Sequence, residues 1–105
     1  MTLARIALVC PDLMFGSRVE EALRAAGHEV TREREGADAL VVDLTADGID
    51  LAELAAGSKP TVGFYPHVDV DTRTRALEAG YDVVVPRSRM ARETVAVVEK
   101  ALAAA

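Results

Sequence analysis

The sequence predicts an α/β fold, a doubly wound five-stranded parallel sheet in the order 2-1-3-4-5 with helices on both faces. Three observations predict it. Short apolar runs, clearest at Ile6-Ala7-Leu8-Val9 and Ala39-Leu40-Val41-Val42, are too brief for helices and lack polar alternation, which suits strands covered on both faces. Stretches with helical spacing of apolar residues separate most of these runs. Several runs also stop at an acid or a proline, as at Asp43 and at Cys10-Pro11-Asp12. Open α/β sheets carry their sites at the carboxyl edge of the strands, so Asp12 and Asp43 are expected on one rim.

Each element has its own signal. Ile6 to Val9 is the first strand, and Pro11 ends its ladder. From Phe15 the period changes: Val19, Ala22, Leu23 and Ala26 share a helical face, and Gly27 stops the helix. Glu29-Val30-Thr31-Arg32 has β-branched residues but little apolar content, which fits an exposed edge strand. Only residues 33–38 remain before the Asp43 strand, too few for a crossover helix, so the second helix is expected to be missing or reduced.

Leu51 to Ala56 follows a capping region and reads as a short helix with Ile49, Leu51, Leu54 and Ala55 inward. Thr61-Val62-Gly63-Phe64-Tyr65 is the fourth strand. Asp69 or Asp71 then caps a helix that buries Val70, Ala76 and Leu77 and ends at Gly80. Asp82-Val83-Val84-Val85 is the last strand. Beyond Pro86, one closing helix capped by Ser88 carries a stripe of Ala91, Val95, Val98 and Leu102.

With 105 residues, 50% of them apolar, the chain buries one core, and residues 1–105 are expected to form a single domain. A net charge of −5 with no long basic cluster argues against nucleic acid as a partner. The lone Cys10 closes no intrachain disulfide, and no Cys/His cluster has zinc-ligand spacing. The first residues are too short a run for a signal peptide and no window reaches membrane-spanning length, so a cytoplasmic protein is expected.

Asp43 ending the third strand, Ala76-Leu77-Glu78-Ala79-Gly80 closing a helix, and Asp82-Val83-Val84-Val85 followed at once by proline resemble the receiver domains of bacterial two-component response regulators, a CheY-like, flavodoxin-like fold. The resemblance covers nearly the whole chain. It implies an acidic pair ending the first strand to hold Mg²⁺, a phospho-accepting aspartate, a Ser or Thr ending the fourth strand, and a lysine near the end of the fifth. Here the acidic pair falls on Cys10-Pro11, with Asp12 one place on. The hydroxyl position falls on Tyr65, or less well on Thr61, and the lysine position on Val85 or Pro86, with Arg87 following. Only Asp43 matches, which implies a degenerate receiver.

For Asp43, a structural carboxylate paired with Arg87 or bonded to loop amides is preferred over a phospho-acceptor. Asp12 is read as a turn or helix cap before it is read as a metal ligand; with Asp43 it would make only a weak Mg²⁺ site. His67 is read as a packing or capping residue, with a general base or a ligand beside Asp12 and Asp43 as the alternative. Arg87 and Ser88 either hold an anion with the amides of the closing helix, or are a solvated charge and a cap. Cys10 is read as buried filler before a reactive thiol, and Tyr65 as a packing ring before a gate.

The expected function is therefore a stand-alone receiver-like signalling module, not an enzyme, that acts by protein contact without normal phosphorylation and without a cofactor. The family analogy places its interface, and a possible homodimer, on the last two helices and the last strand. The alternatives are a phospho-accepting receiver using Asp43 and Mg²⁺, and a small-anion binder or minor enzyme built from Asp12, Asp43, His67, Arg87 and Ser88.

Overall fold

The structure is a computed structural model that describes residues 3–57, 59–66 and 68–104. Strands β1 (Arg5–Val9), β2 (Glu29–Thr31), β3 (Ala39–Asp43), β4 (Thr61–Tyr65) and β5 (Val83–Pro86) form one parallel sheet in the order β2-β1-β3-β4-β5. Helices α1 (Leu13–Ala25), α2 (Leu51–Ala55), α3 (Val70–Ala79), α4 (Arg87–Arg92) and α5 (Thr94–Ala104) complete the chain. The expected fold class and strand order are those observed. No helix among the described residues is long and apolar enough to cross a membrane.

Alternation along each strand sorts the core into two layers. Ile6, Leu8, Val41, Val62 and Phe64 face α1, α4 and α5, where they meet Val19, Leu23, Met90, Val97 and Val98. Ala7, Leu40, Val42 and Tyr65 face the other way, toward Leu54, Ala76 and Tyr81. Between β2 and β3 the chain crosses without a helix, as its length requires. Asp38 pins this crossover to β1: its carboxylate accepts from the Arg5 amide and its own amide donates to the Arg5 carbonyl, both at 2.7 Å. Ala37 beside it is buried in the second layer.

Three local expectations need correction. The closing helix is two helices, because the chain breaks at Glu93 (φ −125°) and the buried Thr94 hydroxyl returns to the Met90 carbonyl at 2.6 Å. Its buried stripe is accordingly Met90, Thr94, Val97, Val98 and Ala101, while Ala91, Val95 and Leu102 are only half-buried. Ser88 is not a cap: Pro86 occupies the N-cap position of α4 without a side-chain bond, and Ser88 is exposed inside the first turn. In α3, Asp69 is the cap, but Thr72 and Ala76 point inward while Val70 and Leu77 face solvent, because the helix is rotated relative to the predicted stripe.

Candidate functional site

The carboxyl edge is built from three strand ends. After β1, Pro11 stops the ladder and Asp12 becomes the N-cap of α1, its Oδ1 accepting from the Phe15 amide at 3.1 Å. After β5, Pro86 ends pairing opposite Tyr65 and Arg87 opens α4. The Arg87 Nη2 donates to Asp12 Oδ2 at 2.6 Å, and its Cζ lies 4.4 Å from the centroid of the Phe15 ring. Phe15 in turn packs on Phe64 of β4, with the centroids 4.9 Å apart. A cation held by a carboxylate on one side and an aromatic face on another is fixed in place, although its side chain remains 33% exposed.

Asp43 sits differently. It is buried at the end of β3, and among the described residues both hydrogen bonds to its carboxylate come from Thr45, the amide at 3.1 Å and the hydroxyl at 2.9 Å, each to Oδ1. This is a local turn in which the side chain of one residue binds the backbone two residues on. The sequence expectation that Arg87 reaches Asp43 is therefore corrected: the guanidinium goes to Asp12, which as a helix cap already stands beside the first residues of α4.

The electrostatics follow this geometry. The Phe15 amide, and then the Arg87 guanidinium, hold Asp12 below the usual carboxylate range against a desolvation effect that opposes them. Cys10 lies between the two acids. Burial chiefly, with added repulsion from Asp43 and Asp12, pushes its thiol up, although a hydrogen bond from the Asp12 backbone and the charge of Arg87 act the other way. A thiol kept neutral is a poor nucleophile, so Cys10 is filler, in agreement with its preferred reading.

Asp12, Asp43 and Arg87 thus share one edge, with Ser88 exposed beside Arg87. His67 lies outside the described residues. The hydroxyl sought at the end of β4 is missing from this edge: Tyr65 belongs to the second core layer, and Thr61 stands at the opposite end of its strand, bonded through its amide and hydroxyl to Asp82 Oδ2 at 2.8 and 3.3 Å. Two contributors escaped the sequence reading. Thr45 was detectable from the Asp-x-Thr spacing, which favours this turn, whereas the role of Phe15 depends on packing between α1 and α4.

No family model matches the chain, and no curated protein matches it. Solved structures do. The chain is similar to NtrX from Brucella abortus in complex with ADP, at 20% identity and a TM-score of 0.86, over 98% of this chain and 28% of that one. It is similar to a putative response regulator from Chloroflexus aurantiacus J-10-fl, at 22% identity and a TM-score of 0.84, over 97% of this chain and 99% of that one. A CheY-like response regulator receiver domain protein from Methanospirillum hungatei JF-1 matches at 16% identity and a TM-score of 0.83, over 98% and 96% of the two chains. The chain spans only 28% of the NtrX chain, whereas it accounts for nearly all of the other two. With its parallel sheet in the order β2-β1-β3-β4-β5 and an aspartate ending the central β3, this chain has the fold of a response-regulator receiver domain.

Proposed function

We propose that the chain is a receiver-like signalling module that works in the cytoplasm through protein contact, not by catalysis and without phosphorylation of Asp43. The observation that carries this reading is the closure of Asp43 on Thr45. A carboxylate that attacks a phosphoryl group needs cations and donors aimed at the charge that develops on the transferred group. Around Asp43 the donors aim at the carboxylate itself: the Thr45 amide and hydroxyl hold Oδ1, Arg87 is bonded to Asp12, and β4 ends in the buried ring of Tyr65.

The exposed face of α3 supports contact as the mode of action. Val70, Thr74 and Leu77 recur at positions i, i+4 and i+7 on the side away from Thr72 and Ala76, and Val70 and Leu77 are 65% and 44% exposed. Two apolar residues exposed on one helix face offer a surface that a partner could cover. It falls on a helix where an interface is expected by analogy with receivers, and a second copy of this chain is the proposed occupant.

The test is incubation of the full chain with Mg²⁺ and acetyl phosphate, followed by intact mass measurement. The expected result is an unchanged mass. Addition of one phosphoryl group to the wild-type chain, absent in Asp43→Asn, would establish the phospho-accepting alternative instead.

A further inference from the structure

We propose that Arg87 is the resident cation of this rim, standing where a receiver site would otherwise hold a divalent metal ion, so that the rim is charge-balanced with neither metal nor phosphate. The inference deepens the reading above and rests on it.

Mg²⁺ demands near-octahedral oxygen coordination and is usually held by one or two carboxylates, completed by water and phosphate oxygens. While Arg87 is in place, the donors at this edge do not meet that demand. Cys10 offers a buried sulfur, a soft donor where a hard one is needed. Pro11 has no side-chain donor. Asp12 has both oxygens engaged, Oδ1 by the Phe15 amide and Oδ2 by Arg87, and Asp43 has Oδ1 engaged twice by Thr45. Among the described residues no group of three or more His, Cys, Asp or Glu side chains is gathered for a metal.

Electrostatics points the same way. A dication seated on Asp12 would lie against a guanidinium 2.6 Å from the same carboxylate, and like charges at such distances repel strongly in a partly desolvated site. Removing the guanidinium is not free, because it also stacks on Phe15, which is packed on Phe64. Arginine suits this task better than lysine. Its planar group binds a carboxylate through its edge while its face covers an aromatic ring. The result ties the start of α1, which leaves β1, to the start of α4, which leaves β5, across strands that are not neighbours in the sheet.

Thermal unfolding of the full chain, with Mg²⁺ or Mn²⁺ alone and no phosphodonor, separates this inference from the phosphorylation question. A ligand that binds the folded state raises Tm, and about 100-fold excess over Kd gives a readily measured shift. The wild-type Tm is expected to stay unchanged at about 10 mM of either ion, well above the range in which protein carboxylate sites fill. Arg87→Gln keeps much of the side-chain stem over Phe15 and removes the charge; it is expected to gain a Mn²⁺-dependent rise in Tm that disappears in Arg87→Gln/Asp12→Asn. Arg87→Ala, checked for folding by circular dichroism, should behave alike. A wild-type Tm that rises with metal and loses the rise in Asp12→Asn would overturn the inference. So would folded Arg87 variants that remain indifferent to metal, since the guanidinium would then not be what takes the ion's place.

Discussion

On one face of the sheet, α1 with 13 residues and α5 with 11 lie over Ile6, Leu8, Val41, Val62 and Phe64, and Met90 of α4 closes the layer. On the other face, α2 has five residues, and the crossover from β2 to β3 has no helix. Loop and helix leave a cavity of about 430 Å³ beside Arg34, Leu40, Glu53, Leu54 and Lys59. Tyr81 is buried in the same layer, its hydroxyl lacking a hydrogen-bond partner among the described residues. The first face is covered by the longer helices, and the second is held partly by polar ties such as Arg34 to Glu53 at 2.8 Å and Arg5 to Glu29 at 3.2 Å.

The difference shows how a doubly wound sheet dispenses with a crossover helix. On the uncovered side β1 and β2 present Arg5, Ala7, Val9, Glu29 and Thr31, and only Ala7 is fully buried there. There is little apolar surface for a helix to cover, so a loop pinned by Asp38 suffices. The fixed parts of the rim, Asp12, Phe15 and Arg87, all belong to the face with the longer helices. The exposed stripe of α3 belongs to the thinner one.

The largest expected effect is a contrast in core truncation. Phe64→Ala removes a fully buried ring that also supports Phe15 and should cost about 3–5 kcal/mol, whereas Leu54→Ala beside the cavity should cost about 2 kcal/mol. Urea denaturation measures both, and equal losses would break the comparison between the faces. Next is Gly63→Ala: a Cβ at this position would lie 2.7 Å from Leu44 Cδ2, so overpacking should cost about 1–3 kcal/mol. A neutral result would mean that Leu44 has room to move.

Tyr81→Phe should stabilise the chain by about 1 kcal/mol, because it deletes a buried hydroxyl that finds no partner. Burial, aided by the charge of Asp50, pushes the Tyr81 hydroxyl up to about 12 from an ordinary value of 10.0. The folded state therefore holds this proton more tightly than the unfolded state. Its contribution is complete below pH 10 and is lost as pH rises toward 12, so alkaline unfolding should be shallower in Tyr81→Phe. The smallest effect on stability, within about 0.5 kcal/mol, is expected for Leu77→Glu, because the residue is already exposed. If a second copy docks on this stripe as proposed, sedimentation velocity should show a dimer of the wild-type chain that Leu77→Glu loses.

Much of the fold was legible because parallel strands buried on both faces leave continuous apolar runs, and Pro11, Gly27, Gly80 and Pro86 mark their ends or those of the helices. The split between α4 and α5 was not legible, since one helical period runs through Glu93 and only the return of the Thr94 hydroxyl to Met90 separates them. The face of α3 was misjudged for a related reason: Val70 and Leu77 look like core by hydropathy, and only packing against β4 and β5 chooses Thr72 and Ala76 instead. At the site, the shared edge of Asp12, Asp43 and Arg87 was legible but their pairing was not. Asp12 and Asp43 both end strands, and only the direction in which α1 and α4 leave the sheet decides that Arg87 meets Asp12.

The most direct test of a rim balanced by its own arginine is the amide NMR spectrum of the ¹⁵N-labelled chain before and after addition of Mg²⁺ and acetyl phosphate together. Signals from Asp12, Asp43, Thr45 and Arg87 are expected to stay where they are. Displacement of the Asp43 and Thr45 signals in the wild-type chain, but not in Asp43→Asn, would contradict the account.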